Sequence, residues 1–227
     1  MAVRAPRTTA RQRAQSAFTL LETIVVLAIV SVAFALTLAA VQQARDAAAR
    51  AGCASNLRQV ALAVHLYADS HRQLPEGCEY PFRTASNPAL VQPGVSWHTN
   101  ILPYVEQDSL GRLAWDANRN DPRGHAAAHE SVGAMRVPVY LCPSESRQLG
   151  GFGNGIGWGL TSYLGVAGTG RRRDDGVFHP DFAVRFADIT DGTSNTLMIG
   201  ERPPGPRGIF SAWYSAWGNC VCTLTQI

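Results

Sequence analysis

An uncharged apolar run near the N-terminus constrains this chain more than any other feature of its sequence. The run covers residues 23–44 and is dominated by Leu, Ile, Val, Phe and Ala. About 20 such residues in helical form cross the hydrocarbon core of a bilayer. Residues 1–17 contain four arginines and no acid, and a basic flank of this kind stays on the cytoplasmic side. We therefore predict a single transmembrane helix rather than the buried helix of a soluble protein.

The absence of lysine and the placement of charge exclude several classes of function. All 20 basic residues are arginine, which rules out sites that need a lysine, such as P-loops, kinase sites and pyridoxal Schiff bases. The net charge is +3, and the segment 1–17 alone carries +4, so the rest of the chain is near −1. Such a remainder has no basic footprint for nucleic acid. The membrane is the expected partner, and nucleic acid is not.

Glu22 lies inside the start of the apolar stretch, where an unpaired carboxylate is costly. A free amino group on Phe18, produced by a cut after Ala17, would give it a cationic partner. A carboxylate that reaches up to the lipid headgroups is the alternative. Residues 17–22 and the apolar run behind them resemble the prepilin-type cleavage and methylation signal of type IV pilins and pseudopilins.

This resemblance implies a role for each of three residues. A prepilin peptidase would cut between Ala17 and Phe18 and methylate Phe18, and Glu22 would pair with the amine of a neighbouring subunit. The family usually has glycine before the cut, where this chain has Ala17. An ordinary secretory signal peptide, with small residues at Ala33 and Ala35, is the competing interpretation. The long basic leader and Glu22 fit that interpretation poorly.

The helix is expected to continue beyond the membrane as an amphipathic helix. Residues 42–71 contain no proline, and their apolar side chains recur at steps of three and four. The predicted buried stripe consists of Cys53, Leu57, Val60, Ala61, Val64, Tyr67 and Ala68. Leu74 and Pro75 end the helix, because proline cannot continue it and restricts the residue before it.

The rest of the chain is rich in glycine, proline, aromatic residues and short β-type runs. Strands are predicted at 137–142, 162–166, 176–178, 184–187 and 196–200, and short helices near 101–107 and within 122–135. We predict an α+β, pilin-like fold in which the long helix packs on a mostly antiparallel sheet. Its parts are a basic leader (1–17), the transmembrane half of the helix (18–44), the amphipathic half (45–74) and a β-rich extracytoplasmic head (75–227).

Several blocks along the chain carry a second resemblance. The segments 40–48, 53–59, 96–97, 102–107, 141–145 and 188–196 are similar, in order, to the family known as domain of unknown function 1559. That family usually closes with a histidine followed ten residues on by Asp-Gly, a pair that this chain lacks. The head is therefore expected to be short or divergent at its C-terminus.

Cysteines and candidate metal ligands leave alternatives open. In an exported head, Cys53 could form a disulfide with Cys142 or with Cys78, and the sequence does not choose between them. Asp188 and Asp191 offer oxygen ligands for calcium, although an Asp-Gly turn is the plainer interpretation. The histidines at 125 and 129 are one helical turn apart and could hold zinc, but a solvent-exposed helix is favoured.

The hypothesis from sequence is a non-enzymatic structural protein similar to pilins and pseudopilins. It would be processed by a prepilin peptidase and assembled with like subunits or other pilin-like proteins into a surface fibre or secretion pseudopilus. It would cross the cytoplasmic (inner) membrane once, with its N-terminus in the cytoplasm, or reach the cell surface. No cofactor is expected, apart from calcium at Asp188 and Asp191. A membrane-anchored or secreted extracytoplasmic ligand-binding module is the alternative.

Overall fold

A computed structural model describes most of the chain after its leader. The described residues are 19–77, 95–121, 127–145, 149–152, 156–168, 175–179, 182–202, 212–214 and 222–223. The chain divides into two compact units, Met1–Asp46 and Ala47–Ile227. A single helix, α1 (Leu20–His71), runs through both. This confirms the predicted long N-terminal helix.

In the first unit, the described residues are helical from Leu20 on and mostly apolar. Side chains from 19 to 46 are all exposed. The helix contains an 18-residue window of mean hydropathy 2.9, none of it buried, so it is long and apolar enough to cross a membrane. An apolar helix without a buried face needs a covering from outside the chain, which a bilayer supplies.

In the second unit, α1 buries one stripe against the head, as its spacing predicts. The buried stripe residues are Cys53, Val60, Ala63, Val64 and Ala68, with Leu57, Ala61 and Tyr67 partly buried against the same core. The helix ends at His71, and Arg72 takes a left-handed backbone conformation with φ 62°. Leu74, which follows, is fully buried, and its backbone N–H donates to the carbonyl of Val184 at 2.8 Å.

Short helices and two small sheets form the rest of the described head. The helices are α2 (Trp97–Asn100), α3 (Asp108–Asn120) and α4 (Ala127–Gly133), with 3-10 helices at Leu102–Val105, Pro138–Tyr140 and Phe186–Asp188. Strands β1 (Leu149–Phe152) and β2 (Ile156–Gly159) pair antiparallel. Strand β3 (Tyr163–Gly168) lies between β4 (Ile199–Glu201), antiparallel, and β5 (Cys222–Thr223), parallel. The α+β, pilin-like fold is thus observed.

Aromatic side chains fill the centre of the head. The largest fully buried ones are Trp97, Trp213, Tyr140, Tyr163 and Phe178. The ring of Phe178 lies on β3 so closely that a Cβ on Gly165 would come within 2.7 Å of it. This core joins α1, the segment around α2 and the central strand into one packed body.

Three predicted strands are wrong, and that at 196–200 is confirmed only as the shorter β4. Residues 176–178 form a bend beside β3, where the N–H of Phe178 donates to the carbonyl of Val166 at 3.1 Å. Residues 137–142 contain a 3-10 helix because the N–H of Tyr140 donates to the carbonyl of Val137 at 2.9 Å, and proline at the first turn suits that geometry. Residues 184–187 instead enter the 3-10 helix Phe186–Asp188, which Asp188 and Arg185 cap reciprocally. The strand at 162–166 is confirmed as β3 with shifted ends.

Candidate functional site

The start of α1 forms a reciprocal capping arrangement around Glu22. The backbone N–H and the hydroxyl of Thr19 both donate to Glu22 Oε2 at 3.0 Å. The N–H of Glu22 donates back to Thr19 Oγ1 at 3.3 Å. A threonine and a glutamate three residues apart satisfy two backbone donors that a helix start otherwise leaves open. The carboxylate is thereby held at the N-terminal end of the helix.

The processing residues Ala17 and Phe18 lie outside the described residues. Their cleavage, and the pairing of Glu22 with a neighbouring amine, stay predictions. The capping by Thr19 was not anticipated, although a Thr-x-x-Glu pattern at 19–22 is its sequence signature.

The polar side chains in the apolar half of α1 bond to their own helix. The hydroxyl of Thr23 donates to the carbonyl of Thr19 at 3.3 Å, and that of Thr37 donates to the carbonyl of Phe34 at 2.9 Å. Ser31 Oγ donates to the carbonyl of Ala28 at 3.2 Å. In a bilayer there is no water to satisfy such groups, so internal bonding suits a membrane-spanning helix.

A disulfide between Cys53 and Cys142 ties α1 to the segment after the 3-10 helix Pro138–Tyr140. The two Cα atoms are 4.7 Å apart, and the residues are 89 positions apart in sequence. Of the two pairings that the sequence left open, this is the one in the structure; Cys78 lies outside the described residues. Nearby, Asn56 Nδ2 donates to the carbonyl of Leu141 at 2.8 Å, and Tyr163 Oη donates to the carbonyl of Cys53 at 3.0 Å.

The two acids considered for calcium have different surroundings. Arg185 donates to both carboxylate oxygens of Asp188, from Nη2 at 2.8 Å and from Nε at 2.9 Å. Hydrogen bonds from the Arg185 side chain hold the pKa of Asp188 below its usual value. Asp191 is exposed, and its backbone carbonyl accepts a bond from Asn195 Nδ2 at 3.3 Å. An arginine therefore competes with any cation at Asp188, and calcium there stays a prediction.

The expectation that His129 faces solvent is wrong. The side chain is 5% exposed, and both ring nitrogens are hydrogen-bonded. Nε2 lies 2.8 Å from the carbonyl of Asp121, and Nδ1 lies 2.7 Å from the hydroxyl of Tyr214. His125 lies outside the described residues. His129 thus links α4 to the end of α3 and to the segment 212–214.

A second buried histidine, His98, was not singled out by the sequence. Its Nε2 lies 2.9 Å from the carbonyl of Tyr163, and the hydroxyl of Tyr140 donates to the His98 carbonyl at 2.6 Å. Burial lowers the pKa of His98 to about 3, against a smaller opposing effect of the bond to Tyr163. The neutral ring therefore acts as a buried structural group between α2 and β3.

A surface groove of about 700 Å³ runs beside the disulfide. Its polar lining comprises Asn56, Gln59, Gln107, Arg136 and Glu145, and its walls include Val105, Val139, Pro138 and Pro143. A concavity of this volume with both donors and acceptors has the dimensions of a small-ligand site. The groove could not be predicted from the sequence, because its residues come from three separate segments, 56–59, 105–107 and 136–145.

Comparison with known protein families covers most of the chain. Residues 12–38 match the family described as prokaryotic N-terminal methylation motif. Residues 42–221 match the family described as protein of unknown function (DUF1559). The chain belongs to the DUF1559 family. With both matches, it is a type IV pilin-like protein whose N-terminal helix is of the membrane-spanning kind. No curated protein and no solved structure matches it.

Proposed function

We propose that this DUF1559 protein is a structural subunit of the pilin or pseudopilin type. A prepilin peptidase cuts it between Ala17 and Phe18 and methylates Phe18, and the mature chain assembles with like subunits or other pilin-like proteins through α1. The observation that carries this proposal is the N-terminal methylation motif placed at the start of an apolar helix with no buried face.

The exposed surface of the first unit supports assembly as well as anchoring. Its large apolar side chains are between 48% and 79% exposed. These residues are Leu20, Leu21, Ile24, Val25, Val26, Leu27, Ile29, Val30, Val32, Phe34, Leu36, Leu38 and Val41. Removing apolar surface from water stabilises by about 25 cal/mol per Å², so such a helix is driven into lipid or against other helices.

Charge at the helix start supports the same proposal. Before the cut, four arginines hold the leader in the cytoplasm and direct the head across the inner membrane. After the cut, the amine of Phe18 stands one residue before the capping arrangement of Thr19 and Glu22. The amine of a neighbouring subunit would meet the Glu22 carboxylate, which Thr19 already holds at the start of α1.

The processing step is tested by the N-terminal sequence and intact mass of the protein recovered from host membranes. We expect a chain that begins at N-methylated Phe18. A start after Ala35 would make the protein a secreted head without its helix, and an intact Met1 would leave a simple anchor. Either result would overturn the proposed processing.

The assembly step is tested separately with Glu22→Ala and, as a matched control, Glu76→Ala. We expect both variants to insert in the membrane, and only Glu22→Ala to lose crosslinkable oligomers. Equal crosslinking in the two variants would remove Glu22 from assembly while leaving the processing result unaffected.

The groove beside the disulfide favours a second candidate function, a membrane-anchored ligand-binding module. A chain that stays monomeric in the membrane after processing would support this function over assembly. Gln59→Trp fills the groove from the exposed side of α1 and leaves the buried stripe intact. Under this candidate, that variant loses binding to the host surface or medium components that the wild-type chain retains.

Catalysis is not part of the proposal, because the methylation motif is typical of pilin-like structural proteins and the description of the DUF1559 family names no activity. Calcium at Asp188 and Asp191 is tested by titrating the wild-type chain against Arg185→Gln, which frees the Asp188 carboxylate. Calcium binding that strengthens in the variant would support the site, and no binding in either protein would exclude it.

A further inference from the structure

Three side chains from distant parts of the sequence converge beside the disulfide. The sulfur atoms of Cys53 and Cys142 and a carboxylate oxygen of Glu201 all lie within 4.8 Å of one another. Cys53 is on α1, Cys142 follows the 3-10 helix Pro138–Tyr140, and Glu201 ends β4. The two cysteines are each 4% exposed, whereas Glu201 is exposed. The cluster is therefore a nearly buried sulfur pair reached from solvent past a carboxylate.

A hydroxyl completes the surroundings of the sulfur pair. Ser144 Oγ lies 2.8 Å from Cys142 Sγ and 3.6 Å from Cys53 Sγ. Thiolate and carboxylate groups are both ligands of zinc-type cations, which prefer four ligands. Water or the Ser144 hydroxyl would supply the fourth position.

The charge of the cluster also points to a cation. Among the residues that the structure describes, none forms an ion pair with Glu201. Reduction of the disulfide would place two ionisable thiols against this carboxylate, and a divalent cation would compensate the negative charge that they develop.

We propose that the reduced form of this chain binds one divalent zinc-type cation through Cys53, Cys142 and Glu201. Metal binding and disulfide formation exclude each other at this site. A thiol reductant converts the disulfide to two thiols and is itself oxidised to its disulfide. The two thiols then bind the cation and release two protons.

The dithiol state precedes the disulfide in the life of every chain. Proteins are synthesised with free thiols, and disulfides are rare until the chain meets an oxidising compartment. A cation at this site would join α1, the segment 141–145 and β4 before oxidation makes the covalent link. It would also protect both sulfurs from pairing with the other three cysteines of the chain.

The test uses the full chain in detergent, with the substitutions Cys78→Ser, Cys220→Ser and Cys222→Ser so that only this pair of thiols remains. Cadmium is the probe, because its bond to thiolate gives an ultraviolet charge-transfer band, and zinc is then used in competition. We expect one cadmium per reduced chain and none per oxidised chain. Absence of binding by the reduced chain, or equal binding by the oxidised one, would overturn the proposal.

The carboxylate is tested by Glu201→Gln, with Glu106→Gln as a matched control at an exposed carboxylate outside the cluster. We expect Glu201→Gln to weaken cadmium binding at least about tenfold, Glu106→Gln to leave it unchanged, and Glu201→His to retain it. Equal affinity in Glu201→Gln and Glu106→Gln would reduce the site to a bare pair of thiols and refute the three-ligand assignment. Circular dichroism of each apo variant separates loss of a ligand from loss of the fold.

Discussion

The helix α1 has two regions that differ in the exposure of their apolar side chains. From Leu20 to Val41, the large apolar side chains of α1 are exposed all round. In the second unit, the same helix carries a single apolar stripe, and the head buries it. Val30 and Val60 are the same residue type on the same helix, yet one is 52% exposed and the other fully buried.

The difference shows what each region depends on. A striped helix is stabilised by its own chain, since packing of the stripe supplies most of the stability of a helix in water. A helix that is apolar all round has no preferred face, so its stability depends on what surrounds the chain. Substitutions in the first region should therefore change membrane insertion or association, and substitutions in the second region should change the stability of the head.

The largest effect is expected from Val60→Asp. This change removes a fully buried apolar side chain and places an unpaired carboxylate in the core, at a cost of about 5 kcal/mol. Such a loss approaches the whole stability of many domains, so the head should unfold at growth temperature. Thermal unfolding of the full chain in detergent, followed by tryptophan fluorescence, measures it.

Val30→Asp makes the same chemical change in the other region and serves as its control. Here the expected result is an unchanged melting temperature of the head, with insertion disfavoured by about 3 kcal/mol. Membrane fractionation measures the second effect. If both variants lower the melting temperature equally, the two regions do not differ in the way proposed.

Removal of the disulfide should have the next largest effect. The double variant Cys53→Ser with Cys142→Ser is expected to lose about 4 kcal/mol of unfolding free energy, because the bond closes a loop between residues 89 apart. Urea unfolding in the presence of a chelator measures this loss. Reduced wild-type chain should behave like the variant, and a variant within about 0.5 kcal/mol of the oxidised wild type would contradict the prediction.

Acid should destabilise the head through His98. Its folded pKa of about 3 lies below the unfolded value of 6.5, so the unfolded chain binds the proton first. The stabilising contribution is complete above pH 6.5 and is lost as pH falls from 6.5 towards 3, by about 1.4 kcal/mol per pH unit. Between pH 6.5 and pH 4 the loss is therefore about 3 kcal/mol.

The corresponding measurement is the urea midpoint across this pH range. The amide of His98→Gln can still donate to the carbonyl of Tyr163. In this variant, the fall of the urea midpoint between pH 6.5 and pH 4 that is due to His98 should disappear. A wild-type midpoint that is flat between pH 6.5 and pH 4 would show that the ring is not neutral and buried as described.

Much of α1 could be predicted because its determinants are local. Absence of proline, length of the apolar run and spacing of the stripe all lie within residues 19–71, and the observed helix ends at His71 as expected. The capping of Glu22 by Thr19 is also local and would have been found from its Thr-x-x-Glu pattern.

The head was harder to predict because distant contacts decide its local structure. The β-type run at 137–142 suggested a strand, but Tyr140 is buried and its hydroxyl donates to the carbonyl of His98, 42 positions away. Helix α3 was missed because Gly111 and several Asp and Asn residues weaken its helical propensity. The cluster of Cys53, Cys142 and Glu201 joins three segments that no sequence spacing connects.

The smallest predicted effect concerns a single hydrogen bond between α1 and the head. Asn56→Ala removes the donor to the carbonyl of Leu141 and should cost about 1 kcal/mol, because that carbonyl loses its partner at a half-buried position. Gln59→Ala, at an exposed position one turn along the same helix, should change stability by less than about 0.5 kcal/mol. Both are measured by urea unfolding with the disulfide intact. If Asn56→Ala is as mild as its control, the covalent bond alone holds the helix to this segment; if the loss doubles after reduction, the hydrogen bond and the disulfide stabilise the same contact.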